Sequence, residues 1–129
     1  MKGMTKKRVL IVDDAGLIRM YYRDALQPGG YDINEALNGL EALEKLLTTP
    51  ADLLIVDVNM PKMDGLTFLR TLRRQPLPLS ATPALVTSTE AAKTGVTAAR
   101  NAGANFYLVK PIAQDTLCRY VAMLCGVSP

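Results

Sequence analysis

The sequence has 129 residues, of which 49% are apolar, with two cysteines and no histidine. This length and composition predict one globular domain with a buried core and exclude a disordered polyelectrolyte. Without histidine, the chain cannot hold a Ser-His-Asp triad, a His-ligated zinc ion, a histidine general base or a phosphohistidine.

The formal net charge of +3 comes from the N-terminal end of the chain. Four basic residues lie within the first eight positions: Lys2, Lys6, Lys7 and Arg8. Eleven basic and twelve acidic residues follow, so the remainder carries a net charge of −1. We interpret residues 1–7 as a basic arm that keeps the terminus solvated, and we expect no direct contact with nucleic acid.

The cysteines and the hydropathy pattern predict a cytoplasmic chain. Cys118 and Cys125 are seven residues apart in a predicted helix, so their Cα atoms lie about 10 Å apart. That separation exceeds the limit of about 7 Å for a disulfide, and free thiols suit a reducing compartment. The sequence has no apolar run of the roughly 18 residues that a membrane span needs, and no signal peptide pattern.

The N-terminal part of the chain predicts two strands, each followed by a helix. Residues 9–12 form a continuous apolar run, and apolar residues over 17–26 then recur at helical spacing. Residues 31–36 alternate between apolar and polar side chains almost to their end, which predicts a half-exposed strand at a sheet edge. Leucines over 40–47 mark a second helix, and we expect Asn38-Gly39 to enter it rather than to form a hairpin turn.

The central part predicts a strand that is covered on both faces. Residues 53–56 are apolar throughout. A helix begins at Asp64-Gly65, with Asp64 as its N-cap, and carries arginines at its C-terminal end. A proline-containing loop follows, and residues 84–86 form the fourth strand.

The C-terminal part predicts a weak helix, a strand and a final amphipathic helix. Residues 91–102 contain poor helix formers, whereas 106–109 are apolar and 113–125 show helical spacing. Five strand–helix units therefore fill the chain and predict a parallel sheet covered by helices.

Four strands end at polar residues, which carry the chemistry. The strand ends are Asp13-Asp14, Asp57, Thr87-Ser88 and Lys110. Ligands of open α/β sheets bind beyond the carboxyl edge of the strands, so these side chains converge in one pocket. Three close carboxylates repel one another unless a cation joins them, and an all-oxygen ligand set favours Mg²⁺. A carboxylate beside a metal ion and a lysine can attack phosphorus, so we expect phosphoryl transfer onto a carboxylate.

These residues resemble the receiver domains of response regulators. The resemblance runs from about Arg8 to about Gly126 and rests on four segments that follow strands in order: Val12-Asp13-Asp14, Asp57 to Gly65, Val86-Thr87-Ser88 and Val109-Lys110-Pro111. It implies a doubly wound, flavodoxin-like fold with five parallel strands in the order 2-1-3-4-5. The whole chain, 1–129, would be a single receiver domain with a short tail at 127–129.

The resemblance also implies a role for each site residue. Asp57 would be the phosphoacceptor and a metal ligand, Asp14 a direct ligand and Asp13 mostly a ligand through water, and the backbone carbonyl of Asn59 would complete the ligands. Lys110 would pair with the phosphoryl oxygens, and the Lys110–Pro111 bond would be cis.

A second group of residues would act as the switch or set its timing. Thr87 would move towards the phosphoryl group, and Tyr107 would turn inward into the released space. Ser88 is small and keeps the pocket open to a donor, whereas Asn59 and Thr89 would tune the hydrolysis of the phosphorylated form. The weak fourth helix would be the mobile element, next to a partner surface that includes Arg100, Tyr107 and Arg119.

The resulting hypothesis is a cytoplasmic, monomeric switch rather than an enzyme, with self-catalysed phosphotransfer and slow autodephosphorylation. A histidine kinase or histidine phosphotransfer protein would phosphorylate it, and it would bind a downstream protein, with chemotaxis as the first choice. Alternatives are a receiver from a longer DNA-binding regulator and a phosphate shuttle or sink. An aspartate-dependent phosphatase would need an Asp-x-Asp pair, which this sequence lacks. A flavodoxin-like cofactor binder is disfavoured because Asp13-Asp14 would repel the phosphate of its cofactor.

Overall fold

The computed structural model describes residues 6–127, so the rest of the predicted arm and tail lies outside the described residues. Five strands alternate with five helices. The strands are β1 Arg8–Val12, β2 Asp32–Ala36, β3 Leu53–Asp57, β4 Ala84–Ser88 and β5 Phe106–Val109. The helices are α1 Gly16–Leu26, α2 Gly39–Thr48, α3 Gly65–Arg73, α4 Lys93–Ala102 and α5 Gln114–Cys125. Short 3-10 turns occupy Gln27–Gly29 and Leu79–Ala81.

All five strands are parallel and lie in the order β2-β1-β3-β4-β5. The predicted α/β fold with strand order 2-1-3-4-5 is therefore confirmed. Strand β3 is buried throughout at the centre of the sheet, and β2 is half exposed at one edge, as its sequence pattern indicated. Strand β5 forms the other edge and is only partly covered, although its sequence is apolar.

The alternation of side chains along the strands separates two apolar cores. One face packs against α1 and α5 and contains Ile11, Ile55 and Leu85. The opposite face packs against α2, α3 and α4 and contains Val12, Val56 and Val86. Asp13, Asp57 and Thr87 each lie two positions after a residue of the α1–α5 core. Because side chains alternate along a strand, these three side chains point to that same face of the sheet.

Local sequence signals fix the helix ends. The side chains of Asn38 and Asp64 accept hydrogen bonds from the backbone N–H of Glu41 and Thr67, at 3.0 and 2.8 Å, and cap α2 and α3. Helix α4 has no side-chain cap at its N-terminus and ends at Gly103, whose φ of +112° favours glycine.

Three of the leucines that indicated amphipathic helices face outward. Leu17, Leu40 and Leu47 are 78%, 51% and 73% exposed, although the helices that their spacing predicted are present. Within residues 6–127, no helix combines the length and apolar character needed to cross a membrane.

Candidate functional site

An ion-pair cluster lies at the carboxyl edge of the sheet. The Nζ atom of Lys110 lies 3.0 Å from Oδ1 of Asp57 and 3.1 Å from Oδ2 of Asp13. Both carboxylates are almost fully buried, and the lysine side chain is 17% exposed. Three strand ends therefore bring one ammonium between two buried carboxylates.

Asp14 adds a third carboxylate on the solvent side of the cluster. One oxygen from each of Asp13, Asp14 and Asp57 lies within 4.8 Å of the other two. Asp14 is exposed, whereas the other two aspartates are buried. The three side chains thus form a shallow acidic site that opens to solvent through Asp14.

The electrostatics of the cluster favour an added cation. Burial, together with Asp13 and Asp14, raises the pKa of Asp57, although Lys110 opposes that rise. Burial disfavours the Lys110 ammonium, but Asp57 and Asp13 outweigh it and raise its pKa. One ammonium thus compensates three carboxylates only in part, and a cation that joined them would remove the remaining repulsion.

The donor set suits a hard divalent ion such as Mg²⁺. Asp13, Asp14 and Asp57 offer only carboxylate oxygens at mutually compatible distances. Asn59 lies two residues after Asp57 and is exposed. The residues present therefore fit the metal ion that the sequence predicted.

Backbone contacts hold Asp13 in place. Its N–H donates to the Ala36 carbonyl at 3.1 Å, and its Oδ1 accepts from the Ala15 N–H at 2.9 Å. Nη1 of Arg19 donates to the Asp13 carbonyl at 2.6 Å, while Nε of the same arginine pairs with Glu35 at 2.7 Å. Asp13 is therefore fixed from both its backbone and its side chain.

Gly65 lets the first residue of α3 lie against the backbone of Asp57, the phosphoacceptor candidate. A Cβ at this position would lie 2.2 Å from the backbone oxygen of Asp57, which is far inside van der Waals contact. The Gly65 N–H donates to the Val58 carbonyl at 2.9 Å and closes the turn. Glycine is thus required here for close approach rather than for an unusual φ. The sequence indicated only that a helix begins at Asp64-Gly65.

Thr87 is the site residue with an unsatisfied polar atom. It pairs with Asp57 in the register of β3 and β4, and its Oγ1 is buried with no hydrogen-bond partner among residues 6–127. An unsatisfied buried hydroxyl costs about 1–3 kcal/mol. A threonine that gains a partner when the site changes state would recover that cost.

The two positions that follow Thr87 differ in their exposure. Ser88 is buried, its Oγ accepts from the Glu90 N–H at 3.0 Å, and its carbonyl accepts from the Lys110 N–H at 2.7 Å. Thr89 is exposed and lines an apolar groove of about 610 Å³ together with Lys110 and Pro111. The Lys110–Pro111 peptide bond is cis.

Tyr107 lies on the opposite face of the sheet from the cluster. It is partly buried against the core under α4, and its hydroxyl donates to the Glu90 carbonyl at 2.7 Å. With Arg100 it lines a hollow of about 240 Å³ between α4 and β5. Arg119 is exposed on α5.

Two groups near the site, one buried and one partly buried, were missed by sequence reasoning. Tyr22 of α1 is 2% exposed as a whole, and it lines the same groove as Lys110. Arg19 joins Glu35 to the backbone of Asp13, as described above. The helical spacing over 17–26 predicted the helix, but a single sequence carries no signal for what the buried phenol contacts.

Arg73 makes a third set of contacts that the sequence did not indicate. Its guanidinium donates five hydrogen bonds, from 2.6 to 3.1 Å, to acceptors of four residues: Ser80, Thr82, Gly103 and Asn105. Burial lowers its pKa. Arg73 therefore ties α3 to the end of α4, besides its predicted interaction with a helix dipole.

Comparison with known proteins gives consistent matches. The family model of the response regulator receiver domain matches residues 9–122. The sensor protein EvgS of Escherichia coli K12 is 37% identical over 125 residues, which cover 95% of this chain and 10% of EvgS. A protein-glutamate methylesterase/protein-glutamine glutaminase of Archaeoglobus fulgidus is 46% identical over 74 residues, or 56% of this chain and 21% of that protein.

Solved structures agree with these matches. The chemotaxis response regulator CheY4 of Vibrio cholerae has a TM-score of 0.87 and 36% identity, and the match covers 93% of this chain and 99% of CheY4. The chain thus spans nearly all of CheY4 but only about a tenth of the length of the sensor protein.

Proposed function

The chain belongs to the response regulator receiver domain family, and from that premise we propose that it is a phosphorylation-activated switch whose phosphoacceptor is Asp57. Receiver domains act in two-component signalling. The observation that supports the assignment most directly is the cluster itself, with Asp57 3.0 Å from Lys110 and within 4.8 Å of two further carboxylates.

The proposed reaction is transfer from a phosphohistidine. A carboxylate oxygen of Asp57 attacks phosphorus, a P–O bond forms, and the P–N bond to the donor imidazole breaks. The imidazole leaves with the electron pair of that bond and takes up a proton, so the product is an acyl phosphate. No electrons are exchanged, and no co-reactant is needed beyond the donor.

Each residue has a physical task in this step. Asp13, Asp14 and Asp57, with the carbonyl of Asn59, would hold Mg²⁺, which when bound neutralises negative charge on the carboxylates and the phosphoryl oxygens. Lys110 already contacts Asp57 and would pair with a phosphoryl oxygen as a mobile point charge. Burial and the neighbouring carboxylates raise the pKa of Asp57, and a bound cation would oppose that rise as Lys110 already does.

The conformational response would begin at Thr87. Its unpaired hydroxyl can donate to a phosphoryl oxygen, and that movement would free the space into which Tyr107 turns. Helix α4 follows directly, lacks a side-chain cap and is largely exposed, so it is suited to a change in position. The surface of α4, β5 and α5, with Arg100, Tyr107 and Arg119, would then present a new face to a protein target.

The donor would approach beside Lys110. The groove there is lined by Leu17 and Tyr21 of α1 and by Pro111, and it offers an apolar contact area next to the reacting carboxylate. A histidine kinase or a histidine phosphotransfer protein is the expected donor. The protein would turn over no separate substrate: it would act on itself, with Asn59 and Thr89 setting the rate of autodephosphorylation, and work as a cytoplasmic monomer.

Chemotaxis is the proposed pathway because of the likeness to CheY4 over almost its full length. The match to a small part of EvgS supports a second candidate, a receiver that passes phosphate within a relay. Mixing the phosphorylated chain with a second phosphotransfer protein separates them. Retention of the phosphoryl group on this chain supports the first, and rapid phosphate transfer supports the second.

The test of phosphorylation uses a small phosphodonor with Mg²⁺ and a phosphate-affinity gel. We expect a retarded band for the wild type, and none for Asp57→Asn or after addition of EDTA. An unshifted wild type with several donors would overturn the proposal. Lys110→Ala should fold but be phosphorylated poorly or fail to bind its target, and unchanged signalling would remove Lys110 from the mechanism.

A further inference from the structure

Two arginines of α1 converge on one glutamate of the edge strand β2, beside the acidic cluster. Nε of Arg19 donates to Oε1 of Glu35 at 2.7 Å, while Nε and Nη2 of Arg23 donate to Oε2 at 2.9 and 2.6 Å. All three side chains are partly buried. Burial would raise the pKa of Glu35, but Arg23 and Arg19 outweigh it and lower that pKa. The glutamate therefore stays ionised and fixes the direction of the Arg19 guanidinium.

The same guanidinium holds the backbone between two of the three clustered aspartates. Nη1 of Arg19 donates to the Asp13 carbonyl at 2.6 Å. That carbonyl belongs to the planar peptide unit that joins Asp13 to Asp14, so a bond to its oxygen also fixes the direction in which the chain enters Asp14. Asp14 is the exposed member of the cluster. Arg19 thus acts on the backbone from which the outermost carboxylate projects.

Strand β2 holds Asp13 at both of its backbone groups. The Asp13 N–H donates directly to the Ala36 carbonyl at 3.1 Å. The Asp13 carbonyl is linked to the preceding residue of the same strand, Glu35, through Arg19. The Asp13 side chain is then divided between two donors, with Oδ1 bound to the Ala15 N–H at 2.9 Å and Oδ2 to Lys110 at 3.1 Å.

We propose that Arg19 is a positioning residue for the metal site: anchored by Glu35, it fixes the Asp13–Asp14 peptide so that both carboxylates face a divalent cation. The inference rests on the proposed function, which places that cation among the three aspartates. Groups that hydrogen-bond to metal ligands orient them, and loss of such a group typically weakens metal binding about 10- to 100-fold. As a charge alone, the guanidinium would oppose a cation, so its charge and its geometry have opposite effects on metal affinity.

The test compares Arg19→Met with Arg23→Met. Each substitution removes one guanidinium from α1 and keeps an apolar stem, but only Arg19 donates to the Asp13 carbonyl. The dissociation constant of Mn²⁺, which suits the same carboxylate and water ligands as Mg²⁺, is measured by electron paramagnetic resonance from the signal of the free ion. We expect binding about tenfold weaker for Arg19→Met. Arg23→Met should bind Mn²⁺ at least as tightly as the wild type does, because it loses a positive charge and no bond to Asp13.

A double-mutant cycle tests the part that Glu35 plays. Glu35→Gln should weaken Mn²⁺ binding in the wild type, and should weaken it less in an Arg19→Met background, because part of its effect passes through Arg19. Equal effects in both backgrounds would overturn the inference, since Glu35 would then act only as a charge. An Arg19→Met protein that folds and binds Mn²⁺ as tightly as the wild type, or more tightly, would overturn it as well. In that case Arg19 would be structural only, and urea denaturation without metal would show the loss of stability alone.

Failure of the inference is distinguishable from failure of the proposed function. A wild type that binds no Mn²⁺ would remove the metal site, and the inference with it. A wild type whose Mn²⁺ binding is weakened by Asp14→Asn but not by Arg19→Met would overturn the inference alone. If Arg19→Met does not fold, Arg19→Lys decides. It keeps the charge, but its single ammonium lacks the fixed fork of the guanidinium, so it should also bind Mn²⁺ more weakly, and unchanged binding contradicts the proposal.

Discussion

Replacement of Lys110 by alanine removes the cation that compensates two buried carboxylates. At the observed distances of 3.0 and 3.1 Å, each ion pair is worth about 5 kcal/mol of Coulomb energy at an effective dielectric constant of about 20. Desolvation of the ammonium offsets several kcal/mol of that sum. We therefore expect the free energy of unfolding to fall by about 3 kcal/mol near neutral pH in the absence of metal.

The loss should depend on pH. Without the ammonium, the pKa of Asp57 moves further above its value in the unfolded chain, so the folded state binds more protons than the unfolded state above about pH 4. Stability of the variant then falls as the pH rises from about 4 to 7. In the wild type, the raised pKa of Lys110 keeps its contribution fully present over that whole range.

Urea denaturation at about pH 4 and at about pH 7.5, followed by circular dichroism, measures this difference. Lys93→Ala is the matched control, since this exposed lysine forms no ion pair within the described part of the chain. Adding Asp57→Asn to Lys110→Ala should restore part of the stability. Equal losses at both pH values would refute the electrostatic reasoning.

Three further substitutions test other features, each by urea denaturation of the metal-free protein. Asp57→Asn should raise the free energy of unfolding at pH 7 by about 1 kcal/mol, because burial raises the pKa of this carboxyl; a decrease would count against the acidic cluster. Gly65→Ala should lower the free energy of unfolding by about 2 kcal/mol, because its Cβ would overlap the Asp57 carbonyl. Gly16→Ala is the control and should leave it unchanged, because the atom nearest to its Cβ would lie 3.6 Å away. Arg73→Lys should lower the free energy of unfolding by about 2 kcal/mol, because lysine cannot reproduce five hydrogen bonds. Arg70→Lys, at an exposed position, should leave it unchanged. Equal effects of the two substitutions would refute that account.

The fold was predictable because its signals are local. The continuous apolar run of β3 indicated the centre of the sheet, and the alternating pattern of β2 indicated an edge. Asn38 and Asp64 indicated where two helices begin. The predicted free thiols of Cys118 and Cys125 are also found, and burial raises the pKa of Cys125 to about 11.

The features of the fold and of the site that were not predicted depend on distances between residues, which a single sequence does not contain. Leu17 and Leu47 follow helical spacing but face outward, since spacing does not state how wide the covered face is. The hydrogen bonds of Arg73 to the carbonyl groups of Thr82 and Gly103 join residues that are 9 and 30 positions apart in the chain. The need for glycine at position 65, where a Cβ would lie 2.2 Å from the Asp57 backbone oxygen, likewise follows from how closely α3 approaches β3.

The most direct test of the central claim is transfer from a phosphorylated histidine phosphotransfer protein, followed by intact-mass and peptide mass spectrometry. With Mg²⁺ present, we expect one phosphoryl group per chain, located on Asp57 and released by hydroxylamine. Asp57→Asn should gain none, and Asp64→Asn, which changes the helix-capping aspartate of α3, should be phosphorylated as the wild type is. A phosphoryl group on any other residue, or labelling of Asp57→Asn equal to that of the wild type, would contradict the account.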